Sequence, residues 1–144
     1  MISRISINHK LEKLREYTGY LRSYQKHSVT EIQQDYTLQG ALLHYLQLSI
    51  ESVLDTAELV ISEKKLRKPQ EAREALSILG EQHILPEDFA AKLMPMASFR
   101  NILVHEYAEV DLARVHHFLQ HNLTDFDTYA KHIAAFLIHD ERLS

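Results

Sequence analysis

Length, composition and charge restrict the classes of protein to which this chain can belong. The chain has 144 residues, of which 45% are hydrophobic and 25% charged, a composition that is typical of a globular domain and excludes a disordered chain. The absence of Cys excludes disulfides, thiolate zinc sites and Cys nucleophiles. The formal net charge of −4 argues against a surface that coats nucleic acid broadly. We expect one domain over residues 1–144, without a membrane span, in a cytoplasmic protein.

Apolar residues recur at helical spacing from the beginning of the chain. The three Gly and three Pro leave few breaks, which favours long helices. A first amphipathic helix carries Ile7, Leu11, Leu14, Tyr17, Leu21 and Tyr24. Ser28-Val29-Thr30-Glu31 has the pattern of a capping box. It predicts the start of a second helix of about thirty residues, which continues through Gly40 to Ile61.

Proline positions organise the predicted helices that follow. We expect Pro69 to open a short helix that ends near Gly80, and Pro86 to open the next one. Pro95 lies inside this fourth helix, where a kink or a break is expected.

The last predicted helix begins at Asp111 and has a candidate interruption at Asn122-Leu123-Thr124. The five predicted helices indicate an all-α, up-and-down bundle of four to five helices.

The densest run of basic residues precedes Pro69. It consists of Lys64, Lys65, Leu66, Arg67 and Lys68, and we call it the basic segment. One interpretation is a solvated loop between helices. The other is a cationic lip that attracts the phosphates of a polyanion. The sequence alone leaves both open.

Spacing excludes several metal-binding motifs. His105-Glu106 resembles the start of a zinc-protease helix, but Glu109 occupies the position of the second His. A di-iron bundle requires Glu three residues before His, and none of the ten His has one. His117 and His121 stand at i and i+4, yet two ligands do not complete a metal site. We therefore predict no metal ligand.

One constellation stands out on the fourth predicted helix. It is the octet Arg100-Asn101-Ile102-Leu103-Val104-His105-Glu106-Tyr107. Arg100 and Tyr107 lie two turns apart on one face of a helix, whereas Arg100 and His105 differ by about 140°. One copy would therefore offer an incomplete site, and two copies that meet across a two-fold axis would line a shared cleft. A plain polar helix edge is the structural alternative.

The octet resembles the R-N-x-L-V-H-x-Y signature of HEPN-domain proteins of the HepT type. The resemblance extends over nearly the whole chain and includes Gln34–Gln39, Pro69-Gln70 and Asp111-Leu112. It implies a dimeric, metal-independent endoribonuclease without a cofactor. This enzyme would be the toxin of a type VII-like toxin–antitoxin pair, whose antitoxin is a minimal nucleotidyltransferase that transfers AMP to the toxin.

The resemblance also assigns roles by position. Arg100 and His105 would be the catalytic pair, Asn101 a substrate contact that shapes the site, and Tyr107 the AMP acceptor. We add the charged residues of the basic segment as candidate phosphate contacts, namely Lys64, Lys65, Arg67 and Lys68.

The implied chemistry requires little from the protein. RNA carries its own nucleophile, the 2′-OH, so that His105 would move protons and Arg100 would stabilise charge on the phosphate. The alternative is a non-catalytic helical dimer that binds a partner nucleotidyltransferase or its nucleotide or RNA substrate. Pro95, five residues before Arg100, is the feature that keeps this alternative open.

Overall fold

The computed structural model describes residues 2–106 and 109–140, and the regular secondary structure in these ranges is helical. These residues form α1 (Ile2–Ser23), α2 (Val29–Gln34), α3 (Tyr36–Glu63), α4 (Ala72–Glu81), α5 (Glu87–His105), α6 (Leu112–His121) and α7 (Thr124–His139). No strand occurs in the described ranges, and the predicted all-α class is confirmed. Seven helices replace the predicted four to five because the second and the fifth predicted helices are each divided in two. No helix of this described part is both long enough and apolar enough to cross a membrane.

α1 lies antiparallel to α3, and this is the most extensive helix pair of the fold. The Lys10 Nζ atom near the start of α1 lies 3.6 Å from the Asp55 carboxylate late in α3. Further along α1, the rings of Tyr17 and Tyr20 pack against Tyr45 early in α3. The buried residues of α1 follow the predicted helical spacing, at Ile7, Leu14 and Leu21. The first predicted helix is thus confirmed.

The second predicted helix is divided at Asp35. The capping box is confirmed: the Glu31 N–H donates to the Ser28 hydroxyl, and the Ser28 N–H donates to the Glu31 carboxylate, both at 3.1 Å. Asp35 then leaves the helical conformation, with φ −111° and ψ 97°, and its carboxylate accepts the Leu38 N–H at 3.0 Å. The prediction of one continuous helix was wrong because the short Asp side chain ends one helix and caps the next.

α4 and α5 form a hairpin whose turn depends on His83. The Ile84 N–H donates to the Leu79 carbonyl at 2.9 Å, and the His83 N–H donates to the Gly80 carbonyl at 3.1 Å. This is the Schellman pattern, and His83 adopts the required left-handed conformation with φ 57°. Gly80 is buried within α4, which ends one residue later at Glu81, so the predicted end near Gly80 is confirmed.

Two of the three prolines precede helices, and the third lies inside a helix. Pro69 precedes the start of α4 at Ala72 by three residues, so the predicted start was early. Pro86 precedes the first residue of α5, as predicted. A kink or a break was predicted at Pro95; α5 runs through Pro95 as one helix, so the break does not occur. The hydrogen bond that Pro95 cannot donate would reach Ala91, which is exposed, so water can satisfy that carbonyl.

The last predicted helix is divided at the expected place. α6 begins after the N-cap Asp111, and Asn122 and Leu123 separate it from α7. α7 is fixed to α3 by Tyr129, whose buried hydroxyl donates to the Val53 carbonyl at 2.9 Å and lies 2.6 Å from the Thr56 hydroxyl. Burial raises the pKa of the Tyr129 hydroxyl far above its usual range. This neutral phenol therefore serves the packing of α7.

Candidate active site

Residues 100–105 of the octet form the last turns of α5. Arg100, Asn101 and His105 all lie on the helix, which ends at His105. The Glu106 N–H still donates to the Ile102 carbonyl, at 2.9 Å, and closes the last turn. Tyr107, the predicted AMP acceptor, lies outside the described residues. The structure thus places the predicted catalytic pair on one rigid element.

Both members of the pair are accessible. His105 and Asn101 are exposed, and Arg100 is half-buried. Among the described residues, none forms an ion pair or a hydrogen bond with the Arg100 guanidinium. A guanidinium that has no carboxylate partner can bind a phosphate in two parallel hydrogen bonds. The arrangement therefore suits an anionic ligand.

The opposite side of α5 anchors the octet. Leu103 is 2% exposed, and Phe99 and Ile102 are partly buried. Because α5 is continuous from Arg100 to His105, the angle of about 140° between these two positions applies. A single chain presents the two side chains on different flanks of the helix. One copy does not enclose a phosphate between them.

The basic segment is largely engaged in the fold. The Lys64 Nζ atom lies 2.5 Å from the Asp140 carboxylate, and both side chains are only 10% exposed. Arg67 donates to Glu74 at 3.2 Å and to Glu81 at 2.7 Å. The hydrogen bond to Glu81 holds the pKa of the Arg67 guanidinium above its usual value, and the same bond lowers the pKa of the Glu81 carboxyl.

Lys65 and Lys68 are the exposed lysines of this segment. Lys64, at the start of the segment, lies away from the octet within one chain. Ile50 of α3 and Phe99 of α5 line one cavity, and Lys64 follows fourteen residues after Ile50, about 20 Å along a helix. A phosphate contact by Lys65 or Lys68 remains a prediction.

A cavity of about 300 Å³ lies beside the octet, between α3, α5, α6 and α7. We call it the α5–α6 cavity, and its lining includes Met96, Phe99, Arg114, Phe118, Asn122 and Asp125. The sequence did not predict it, because its walls come from four helices that meet only in the tertiary structure. The one local signal was the spacing of Val115, Phe118 and Leu119 along α6, which indicates an apolar face.

His117 and His121 have the spacing of two metal ligands, but two ligands do not complete a metal site. The two imidazole rings do lie close together, with centroids 4.6 Å apart. Within residues 2–106 and 109–140, no group of three or more His, Asp or Glu side chains is placed to hold a metal ion. The described residues therefore offer no metal centre as a second candidate site.

Comparison with known proteins supports the family that the octet indicates. The family model described as Ribonuclease HepT-like matches residues 7–133. The mRNA nuclease HepT of Shewanella oneidensis is 32% identical over 106 residues, which cover 74% of this chain and 80% of the relative. The tRNA nuclease HepT of Aphanizomenon flos-aquae is 27% identical over 137 residues, which cover 95% of this chain and 93% of the relative.

A solved structure extends the similarity to three dimensions. The tri-AMPylated Shewanella oneidensis HEPN toxin, solved in complex with the MNT antitoxin, superposes with a TM-score of 0.82 at 28% identity. The match covers 90% of this chain and 96% of the toxin. With the family model matching most of the sequence and the octet on α5, this chain belongs to the HepT-like family of ribonucleases.

Proposed function

We propose that this protein is an RNA-cleaving toxin whose active site is a composite cleft between two copies of the chain. The observation that carries the proposal is the position of Arg100 and His105 at the end of α5, accessible and without a carboxylate partner among the described residues. The similarity to two HepT nucleases supports RNA as the substrate.

The reaction uses a nucleophile that the substrate provides. One His105 takes the proton of a ribose 2′-OH, and the 2′-oxygen attacks the adjacent phosphorus. The bond from phosphorus to the 5′-oxygen breaks, and the His105 of the second copy gives a proton to this leaving oxygen. The products are a 2′,3′-cyclic phosphate and a 5′-OH end, and no metal is required for either proton transfer.

Arg100 supplies the charge stabilisation. As the 2′-oxygen attacks, negative charge grows on the non-bridging oxygens of the phosphate. A guanidinium held on a helix can stabilise this charge without reorganisation during the reaction. Asn101, exposed one residue further along α5, would donate to the same phosphate or to the ribose. Arg100, Asn101 and His105 would thus each have a role in substrate binding or catalysis.

Cleavage of RNA in the presence of a chelator tests the assignment. We expect His105→Ala to lower the rate by about 10²–10⁴-fold, because it removes general acid–base catalysis. Arg100→Ala should lower it by about 10²–10³-fold, as expected for the loss of one electrostatic stabiliser. The control is His9→Ala, at another exposed histidine on α1. A His105→Ala variant as active as His9→Ala would disprove the mechanism.

Toxicity is tested separately, by growth. Expression of the wild type should arrest a bacterial host, and expression of His105→Ala should not. If the wild type binds RNA without cleaving it and does not slow growth, the protein is a non-catalytic binding module.

We further propose that a nucleotidyltransferase neutralises the toxin by transferring AMP to Tyr107. The support is the octet, which contains the acceptor Tyr, and the similarity to a HEPN toxin that was solved tri-AMPylated with its MNT antitoxin. Tyr107 follows Arg100 by seven residues. The phosphate of the attached AMP would compete with the RNA phosphate for the cationic cleft.

The AMP transfer is tested by intact mass after co-expression with a minimal nucleotidyltransferase. We expect the mass to rise by whole AMP units in the wild type and in Tyr36→Phe, a control at a tyrosine that is 81% exposed. Tyr107→Phe should abolish the increase. An increase that persists in Tyr107→Phe would show that another residue is the acceptor.

A further inference from the structure

The α5–α6 cavity combines an aromatic wall with polar groups at one end. Phe99 of α5 and Phe118 of α6 line it and are both half-buried. The Phe118 ring is held edge-on against Phe126, with centroids 5.7 Å apart. A volume of about 300 Å³ is at the lower end of the range for small-molecule sites, ~300–1,000 Å³. The cavity is therefore of a size and surface suited to one planar, aromatic group.

The polar end of the cavity presents hydrogen-bond acceptors. The Asp125 side chain is 12% exposed, and its carboxylate lies 3.2 Å from the Lys92 Nζ atom. The Asn122 amide donates to the same carboxylate at 3.5 Å, which leaves the Asn122 carbonyl oxygen as a further acceptor. A ligand group that contacts the Asp125 carboxylate must donate a hydrogen bond, whereas one that contacts the Lys92 ammonium must accept one.

The mouth of the cavity carries a cation. Arg114 is exposed, and it lines both this cavity and the adjoining groove along α5, which extends to Ser98 and Ile102. In the part of the chain that the structure describes, no side chain pairs with its guanidinium. Phe99 and His105 are six residues apart on α5, about 9 Å along the axis. A phosphate held by Arg114 would thus lie close to the octet.

We propose that the α5–α6 cavity binds one unpaired base of the RNA substrate and prefers adenine or cytosine to uracil. This inference rests on the proposed function and specifies which nucleotide that site selects. The base stacks on the phenylalanine side chains, as single-stranded RNA does on aromatic platforms. Its exocyclic amino group donates to Asp125, whereas a uracil bound in the same orientation would place its O4 carbonyl oxygen against that carboxylate. Arg114 binds the phosphate of the same nucleotide.

Binding of short RNA tests this proposal independently of cleavage. The protein is the full chain carrying His105→Ala, and the probes are fluorescein-labelled ten-nucleotide oligomers of A, C and U, measured by anisotropy. We expect the A and C oligomers to bind about tenfold more tightly than U, the factor for one hydrogen bond to a charged group. Asp125→Asn offers an amide that can also donate, and it should reduce this preference to less than about threefold.

Arg114→Gln tests the phosphate contact at an exposed position, where the fold is not at risk. It should weaken the binding of all three oligomers by a similar factor. It should also lower the slope of log K against log salt by about 0.7, the value for one phosphate contact on a single strand. The matched control is Arg15→Gln on α1, which should retain the salt slope of the parent protein. Arg15 is exposed and does not line the cavity.

Two outcomes overturn the proposal. One is equal affinity of the parent protein for the three oligomers, and the other is an Arg114→Gln variant that behaves like Arg15→Gln. Either result leaves the proposed function intact if the wild type cleaves RNA and His105→Ala does not. If His105→Ala cleaves as the wild type does, the catalytic assignment fails while the base preference is still measured. If Asp125→Asn does not fold, as judged by thermal unfolding, the proposal is tested by the relative affinities of the parent protein for the three oligomers and by the effect of Arg114→Gln on binding.

Discussion

At Gly80, a Cβ atom would lie 2.9 Å from the Cβ of Ala90 and 3.6 Å from the Cα of Glu87. The first distance is shorter than van der Waals contact, and both neighbours belong to the beginning of α5. Neither atom is the end of a flexible side chain that can move away. The missing side chain at Gly80 therefore sets how closely α4 approaches the helix that carries the octet.

Gly80→Ala should lower the free energy of unfolding by about 1 kcal/mol. Overpacking against Ala90 destabilises the fold by ~1–3 kcal/mol, whereas the better helix propensity of Ala stabilises it by ~1 kcal/mol. For a chain of this size, the melting temperature should fall by about 2–4 °C, as measured by circular dichroism.

Gly19→Ala is the matched control for this substitution. Gly19 is also helical, but nothing lies within 4 Å of its added Cβ, so the change should raise the free energy of unfolding by about 1 kcal/mol. Combining Gly80→Ala with Ala90→Gly should restore part of the lost stability. A Gly80→Ala protein as stable as Gly19→Ala would show that α4 and α5 separate at no cost.

At the scale of the helices, periodicity and capping chemistry predicted most of the fold. The apolar spacing located α1, the capping box located the start of α2, and the interruption after α6 was expected. Asp35 was misjudged because an Asp inside an apolar pattern is compatible both with a helix interior and with an N-cap. The helix does not break at Pro95, and the carbonyl that Pro95 leaves unbonded belongs to an exposed residue.

The candidate site was likewise predicted from the sequence only in part. The octet could be predicted because its eight residues are contiguous, and one helix carries residues 100–105. The α5–α6 cavity could not, because Phe99, Phe118 and Asp125 come from three helices whose packing no local pattern encodes. The basic segment was visible as a charge run, but its partners Glu74, Glu81 and Asp140 were not. Sequence patterns report what one helix carries, and tertiary contacts decide which charges remain available.

At the scale of the whole molecule, one chain leaves the predicted site open. Arg100 and His105 lie on different flanks of α5, and Val104 between them is a large apolar residue that is 38% exposed. A second copy with its own α5 against this face would cover the apolar surface. It would also bring two His105 side chains to one cleft, as the proposed division of acid and base roles requires.

Mixed dimers distinguish a shared cleft from two independent sites. Wild-type and His105→Ala chains with different affinity tags are co-expressed, and the heterodimer is isolated by sequential purification. If both His105 side chains serve one cleft, the heterodimer has lost either the general acid or the general base. Its RNA cleavage should then be at least about 10²-fold slower than that of the wild-type dimer. Two independent sites would instead leave half of the activity, a result that contradicts the composite cleft. The heterodimer of wild type with His9→Ala is the control and should retain full activity, because His9 lies on α1, outside the octet.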